Sequence, residues 1–554
     1  MKGYKLPLFL LSFLPLSSLF ADKYYIRHEN GKDIVIINER HQIISRNFEE
    51  FLQNIKKGDE LLFKRGEVFK KPIILKNKEN LSIKDYGSKK LRYPIIDTRY
   101  RIDEDSFIKL DMNNLKKDRS WRVLESEFKK NLAPLSSKVR QNIAKNFDEV
   151  KDSVFEIYRV KISPIDWTSV RVWVNNKEIL KALIFEELKE KDDARWYFEK
   201  QNGYLYIFVL NKDFKLKNVK INNMVLDSLS LKNCKNIDVE NLDIRASKYA
   251  VGIRGSLNVV LQSCKIGRYS FSALNITSGD MGDYSSNIVI KDNEIDSGFK
   301  AFYRFLSSRG SQDGIFMLKG VKDSLVLNNK IINWGHSAIN IYAPKNALPV
   351  KNNKIISNFI SGKNISYMHG VTIDGMNAVK NEVRLNIIRD ISARNQLNGR
   401  ENRFVNNAVF DVRNSPVKSD QGYSAAQAIE LQAYGKDNIS KGNIIKDNLF
   451  AKVDGSCISL VSFSKDGEKR DNIFENNVLI NCGLKNGGVF LKVDDGYGRH
   501  NIEANSFINN RFKATKREPK IFYRGETLSV EEFNFKDGSF EDRIEGNEVM
   551  DRED

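Results

Sequence analysis

The 554-residue chain is poor in cysteine, histidine and proline, with 4, 5 and 10 of each. Four cysteines over this length cannot form the scaffold of a disulfide-rich secreted domain. The low proline content excludes collagen-like and proline-rich architectures. Past the N-terminus no apolar run approaches the roughly 20 residues of a spanning helix, and 29% of residues are charged, which excludes a polytopic membrane protein. Phosphate-cradling glycine motifs, His/Cys metal-finger spacings and nucleophile elbows are missing too, so the usual sequence routes to nucleotide, finger and serine-hydrolase chemistry are closed. With a hydrophobic fraction of 41%, global disorder is also excluded.

What is present begins with charge. Lys and Arg number 90 against 72 Asp and Glu, a net +18 spread through the chain, which suits a polyanionic partner. Lys2 and Lys5 precede an apolar run over residues 6–20 that ends in Ala21 before Asp22. That layout predicts a signal peptide over 1–21 and an exported protein, periplasmic or secreted, with no membrane insertion after the signal is removed. Losing Lys2 and Lys5 takes two charges from the +18 and leaves about +16. Export moves the expected polyanion from nucleic acid to an acidic polysaccharide. Cys234, Cys264, Cys457 and Cys482 read as buried single thiols.

From about residue 229 the chain repeats. An asparagine recurs at Asn293, Asn329, Asn353, Asn386, Asn407, Asn448, Asn477 and Asn505, spaced 21 to 41 residues apart. Asparagine tolerates left-handed backbone angles and its amide can bond the same amide one layer up, so the column predicts the sharp turn of a stacked coil. A second column pairs a small with a branched residue: Gly252-Ile253, Ala273-Leu274, Gly314-Ile315, Ala338-Ile339, Gly370-Val371, Ala428-Ile429, Cys457-Ile458 and Gly488-Val489. Short period-2 strands without helical periodicity predict an all-β, right-handed parallel β-helix. Insertions before these strands, over 297–312, 358–368 and 412–427, and one after a strand over 277–286, would wall a groove.

Ahead of the repeats, FEEFLQNIKKGDELLFKRGEVFKKPIIL reads as an amphipathic helix, a Gly58-Asp59 turn and strands that would cap the solenoid. The run KGDELLFKRG and the later YGSKKLRYPIID resemble the opening coils of the pectate-lyase-like superfamily of exported β-helix proteins. With the repeats, the resemblance spans about 370 residues. It implies a β-helix and, for many members, action on polysaccharides; the reaction is not implied, because the superfamily houses lyases, hydrolases, epimerases and proteins without known activity. The expected organisation is a cap with first coils over 22–98, an inserted module over 99–220, repeats over 221–512 and a C-terminal cap over 513–554, in a monomer. The insert holds a helical pattern over 128–158 and hairpins around Asn175-Asn176 and Asn202-Gly203. It looks like the small β-rich insert of some superfamily members. Trp173, Trp196, Tyr197 and Tyr204 there are read as its core, or else as a platform for sugar rings.

The residue after each branched position should face the groove: Arg254, Asn275, Phe316, Asn340, Thr372, Glu430, Ser459 and Phe490. Two further on come Thr277, Leu318, Tyr342, Asp374, Gln432, Val461 and Lys492. At the corner entering the strands stand Asp313 and His369, with His336 in NWGHSAINIY. For β-elimination from a uronate, His369 is the expected base and Tyr342 the acid. Arg254, or a Ca²⁺ held by Asp313, Asp374 or Glu430, would neutralise the carboxylate. Asn275, Asn340, Thr372, Gln432, His336 and Lys492 are the expected substrate contacts, and Asp313 is the candidate metal ligand. The alternatives are hydrolysis by Asp374 and Glu430 as paired carboxylates, for which residues 389–402 decide the spacing, and a groove that binds glycan without cleaving it.

Overall fold

The computed structural model describes residues 22–110, 156–162, 170–181, 194–199, 203–222, 226–245, 248–298, 312–362, 368–414, 426–433, 439–462, 467–485, 487–494 and 502–550, apart from 32, 539 and 540. The signal segment 1–21, residues 128–155 of the expected helix over 128–158 and much of the inserted loops fall outside these residues, while 156–158 belong to the strand Glu156–Lys161 and not to a helix.

Short strands with inward Ile, Val, Leu and Phe stack coil on coil into three long sheets of 23, 13 and 13 strands. Strands of the solenoid pair in parallel at matching positions, for example Ile315 with Ile339 and Ile339 with Val371. Like residues therefore stack in the interior, as Phe474 and Phe507 do with rings 5.0 Å apart. This is the right-handed parallel β-helix expected from the repeats. The 13-stranded sheet that includes Ser272–Thr277, Asp313–Leu318, Ser337–Tyr342 and His369–Asp374 is called the front sheet below. At about 4.8 Å per coil it runs for about 58 Å.

The asparagine turn consists of two ladders. One links Asn293, Asn329, Asn358, Asn386, Asn407, Asn448, Asn477, Asn510 and Asn547; the other links Asn353, Asn381, Asn402, Asn443, Asn472, Asn505 and Asp542. Asn353 and Asn505 thus leave the single column expected of them. The left-handed backbone also sits one residue earlier than expected, at Asn328, Leu385, Asp447 and Asn476, with φ between 52° and 57°. The ladder asparagine follows in each coil, with its side chain turned inward where water cannot reach its amide.

Both ends are closed. Asn47 caps the helix Phe48–Asn54, whose Phe48, Phe51 and Leu52 cover the first coil. At the other end Ser529 and Glu532 form a capping box on the helix Val530–Asn534, and Phe533 packs on Phe507 and Tyr523. Coil pairing nevertheless continues to Glu548–Val549, so the expected boundary at 512 falls before the last coil. Ile73–Lys76, ahead of the expected insert, pairs directly with Leu229–Lys232 after it. Its eight-stranded sheet buries Trp173, Trp196 and Tyr197, which makes these rings core; Tyr204 is part-exposed beneath the Arg159 guanidinium.

Cys457 and Cys482 form a disulfide, contrary to the reading of four single thiols. The reason is periodicity: their separation of 25 residues is close to one coil, which brings the two Cα atoms within 5.5 Å. Cys234 and Cys264 are free and buried, and burial raises both thiols, Cys264 to about 12. The native protein should therefore react with no thiol reagent at about pH 8, show two thiols per chain when unfolded, and four when also reduced. Four thiols without reductant would overturn the pairing. Replacing both Cys457 and Cys482 with alanine should cost about 3 kcal/mol, read by denaturant unfolding.

Candidate functional site

The front sheet brings most of the expected polar residues together, in a register that differs at both ends. Arg254 lies opposite Thr277 rather than Asn275, and pairs with Asp227 at 2.7 Å. It stands three coils, about 14 Å, before Tyr342 and takes no part in the central cluster. Lys492 lies opposite Ser459 and pairs with Asp494 at 2.8 Å, while Phe490 turns into the core. Irregular pairing of the strand Val489–Asp494 with the next coil accompanies this two-residue offset. Asn275 is buried two coils before Asn340, with Phe316 between them.

The centre is a corner built around Asp313, whose side chain is 0% exposed. A carboxylate only accepts, so His336 Nδ1 carries the proton and donates to Asp313 Oδ1 at 2.9 Å. The Ser337 amide donates to the same oxygen at 2.9 Å, and Asn340 Nδ2 donates to Oδ2 at 3.0 Å. Three donors thus meet the Asp313 carboxyl in a site closed to solvent. Both oxygens of Asp313, the expected metal ligand, are engaged by these donors, so the side chain anchors His336. Among the described residues, no three His, Cys, Asp or Glu side chains surround a common metal position.

His369 enters the next coil beside His336, their rings 5.1 Å apart and inclined at 64°. Two backbone contacts set this spacing: the His369 amide donates to His336 O at 2.6 Å, and the buried Trp334 Nε1 donates to His369 O at 2.7 Å. Ser337 Oγ lies 3.2 Å from Thr372 Oγ1, joining the two coils on the groove side. The His336 side chain keeps 15% of its surface, so an imidazole backed by a buried carboxylate reaches the groove.

The expected acid is elsewhere. Tyr342 lies opposite Asp374, five residues past His369 in register, which places it about 16 Å along the sheet. Its pKa is raised by burial and then by the Asp374 charge, so it holds its proton, but far from either histidine. Asp374 accepts from Asn398 Nδ2 at 3.0 Å and from the Gly375 amide at 2.8 Å.

Residues 389–402 do contribute a coil, through the strand Arg394–Leu397. Glu430 is in register with Thr372, so Asp374 and Glu430 are two coils and two residues apart, about 12 Å between backbones. Glu430 is buried, ion-paired with Arg394 and bonded by Gln432 Nε2, so both its oxygens are engaged by the protein. The expected carboxylate pair for hydrolysis is not assembled. This coil also supplies Arg394, Gln396 and Asn398, which sequence reading had missed. The 21-residue step from Asn386 to Asn407 was the signal, since it leaves room for one minimal coil and nothing else.

Residues 206–378 match the family model of the right-handed β-helix region. No curated protein matches the sequence. Among solved structures, the chain is similar to XylC in complex with xylose, at 12% identity and a TM-score of 0.41, covering 95% of this chain and 82% of that one. It is similar to the mannuronan C-5 epimerase AlgE6 A-module of Azotobacter vinelandii, at 9% identity and 0.38, covering 89% and 91%. A DFA-IIIase mutant of Arthrobacter chlorophenolicus A6 in complex with DFA-III follows at 12% and 0.32, covering 44% of this chain and 57% of that one.

Proposed function

We propose that this β-helix protein is exported and cleaves an acidic, uronate-containing polysaccharide by β-elimination at the His336–His369 corner. The observation that carries the reading is the buried Asp313 carboxylate behind His336 Nδ1. That bond fixes the tautomer and makes Nε2 the nitrogen that would remove the proton next to the uronate carboxyl. The C–H electrons form the new carbon–carbon double bond, and the glycosidic C–O bond on the adjacent carbon breaks. His369, 5.1 Å from its partner, gives its proton to the leaving oxygen. Asn340, Thr372 and Gln396, stacked in consecutive coils of the same column, supply donors for the carboxylate as its charge grows. The positive balance of the chain suits such a polymer, and the Cys457–Cys482 disulfide suits an oxidising compartment.

The test is to incubate the protein with a panel of acidic and neutral polysaccharides, with and without calcium, recording the ultraviolet absorbance of unsaturated uronate alongside new reducing ends. The two should rise together on an acidic polymer. Reducing ends without absorbance would sink elimination, and binding without either signal would make the groove a glycan-holding surface.

A further inference from the structure

Where the inserted module docks on the first coils, charge of one sign accumulates. Arg99, Arg171, Lys220, Arg245 and Arg268 face three carboxylates, each already taken. Arg99 Nε donates to Asp97 at 2.8 Å, Arg171 Nε to Glu178 at 2.6 Å and Arg245 Nε to Asp243 at 2.7 Å. Arg268 has no carboxylate partner among the described residues, and Arg99 Nη1 is buried without a hydrogen-bond partner.

Three links place Arg99, Lys220 and the Arg268 backbone next to one another, and Lys220 Nζ donates to Asn176 Oδ1 at 3.3 Å. The Arg99 guanidinium lies 5.1 Å from the Trp173 ring centre, and Trp173 is the cross-strand neighbour of Lys220. Asn222, two residues beyond Lys220 on the same face, donates Nδ2 to Arg268 O at 3.0 Å. Arg245 stacks in register between Asp97 and Gly267, the residue before Arg268. Burial lowers both Lys220 and Arg268 from their ordinary pKa, and for each the next cause is the Arg99 charge. A half-buried set of like charges with an unused donor is costly unless an anion completes it.

We infer that this seam binds an oxyanion, a sulfate, phosphate or carboxylate group, on the Arg99 Nη1 donor and the Arg268 guanidinium, with Lys220 adding charge. Guanidinium groups match the paired oxygens of such anions, which chloride cannot offer. The group is either a free small anion or one carried on a glycan chain, and the seam lies apart from the histidine corner, so the inference stands independently of the proposed reaction.

The experiment compares wild-type protein with Arg268→Gln in thermal melts and titration calorimetry, using sodium phosphate, sodium sulfate, an oligogalacturonate and sodium chloride at matched ionic strength. Wild type should melt higher in at least one oxyanion than in chloride, with binding about tenfold weaker in Arg268→Gln. In chloride the variant should be at least as stable as wild type, because an uncompensated cation has been removed; a merely structural arginine would give the reverse. Binding of phosphate or sulfate points to a free anion, and binding of the oligogalacturonate alone to a glycan carboxylate. The inference is overturned if no oxyanion outperforms chloride, or if wild type and variant respond alike. Should Arg268→Gln fail to fold, Lys220→Gln gives the same readings.

Discussion

Asn477→Ala, at a ladder position remote from the corner, is expected to destabilise the protein by about 4 kcal/mol in equilibrium denaturation. Asn477 Nδ2 donates to Asn510 Oδ1 and to Ile445 O, each at 2.9 Å. Its Oδ1 accepts from the Asn448 amide at 3.1 Å and from Asn448 Nδ2 at 2.9 Å. Alanine deletes all four bonds at once and strands a backbone N–H and a carbonyl where no water enters. Each unmet buried group costs about 1–3 kcal/mol, which outweighs any relief from removing a polar side chain. The neighbouring residue is the control. Asn476 holds the left-handed turn at φ 53° without a place in the ladder, so Asn476→Gly should change stability by less than about 1 kcal/mol. Equal losses at 476 and 477 would show that the turn, and not the amide ladder, holds the coils in register.

Asp313→Asn is expected to lower kcat on the cleaved polysaccharide on the order of 10³-fold with little change in KM. The carboxylate, which can only accept, forces the proton onto His336 Nδ1; an amide can present N–H there instead and turn the lone pair away from the groove. Because Asp313 also accepts from the Ser337 amide and from Asn340, some stability will be lost, so unfolding of the variant must be measured in parallel. His336→Ala should abolish turnover to a similar degree while leaving the Asp313 bonds to Ser337 and Asn340 in place. Tyr342→Phe, about 16 Å along the sheet, should cost less than about threefold. A large loss at Tyr342 with none at His336 would move the chemistry to the other end of the strand.

The fold was legible because a stacked coil writes its period into the chain. Eight asparagines and eight small-plus-branched pairs mark turn and strand, and no helix or two-layer sheet requires both columns. What blurred the reading was phase. Asn353 and Asn358 are five residues apart and belong to different ladders, yet each precedes an apolar strand, so pattern alone merges them. Arg254 and Lys492 slipped by two because period-2 strands look alike when shifted by an even step; only hydrogen-bonded register tells the two phases apart.

The corner shows the same division more sharply. Asp313, His336 and His369 were each visible as polar residues entering consecutive strands. That one carboxylate serves His336, that the rings meet at 5.1 Å, and that Tyr342 and Arg254 are too distant to join them are facts of spacing along and across a sheet. Arg394 shows why a residue's environment cannot be read from its neighbours in the chain. Its partner Glu430 is 36 residues away, and their pairing turns an apparent catalytic carboxylate into a buried structural ion pair.

By itself, the amino-acid order determined the architecture, since periodic burial of branched residues and recurrent asparagine allow one economical way to remove apolar surface from water. The tertiary structure alone decided which polar groups meet. Coils advance by about 4.8 Å and strands by about 3.3 Å per residue, and proton transfer tolerates errors smaller than either step. A repeat pattern that is uncertain by one coil or two residues specifies the solenoid completely and leaves its acid and base unassigned.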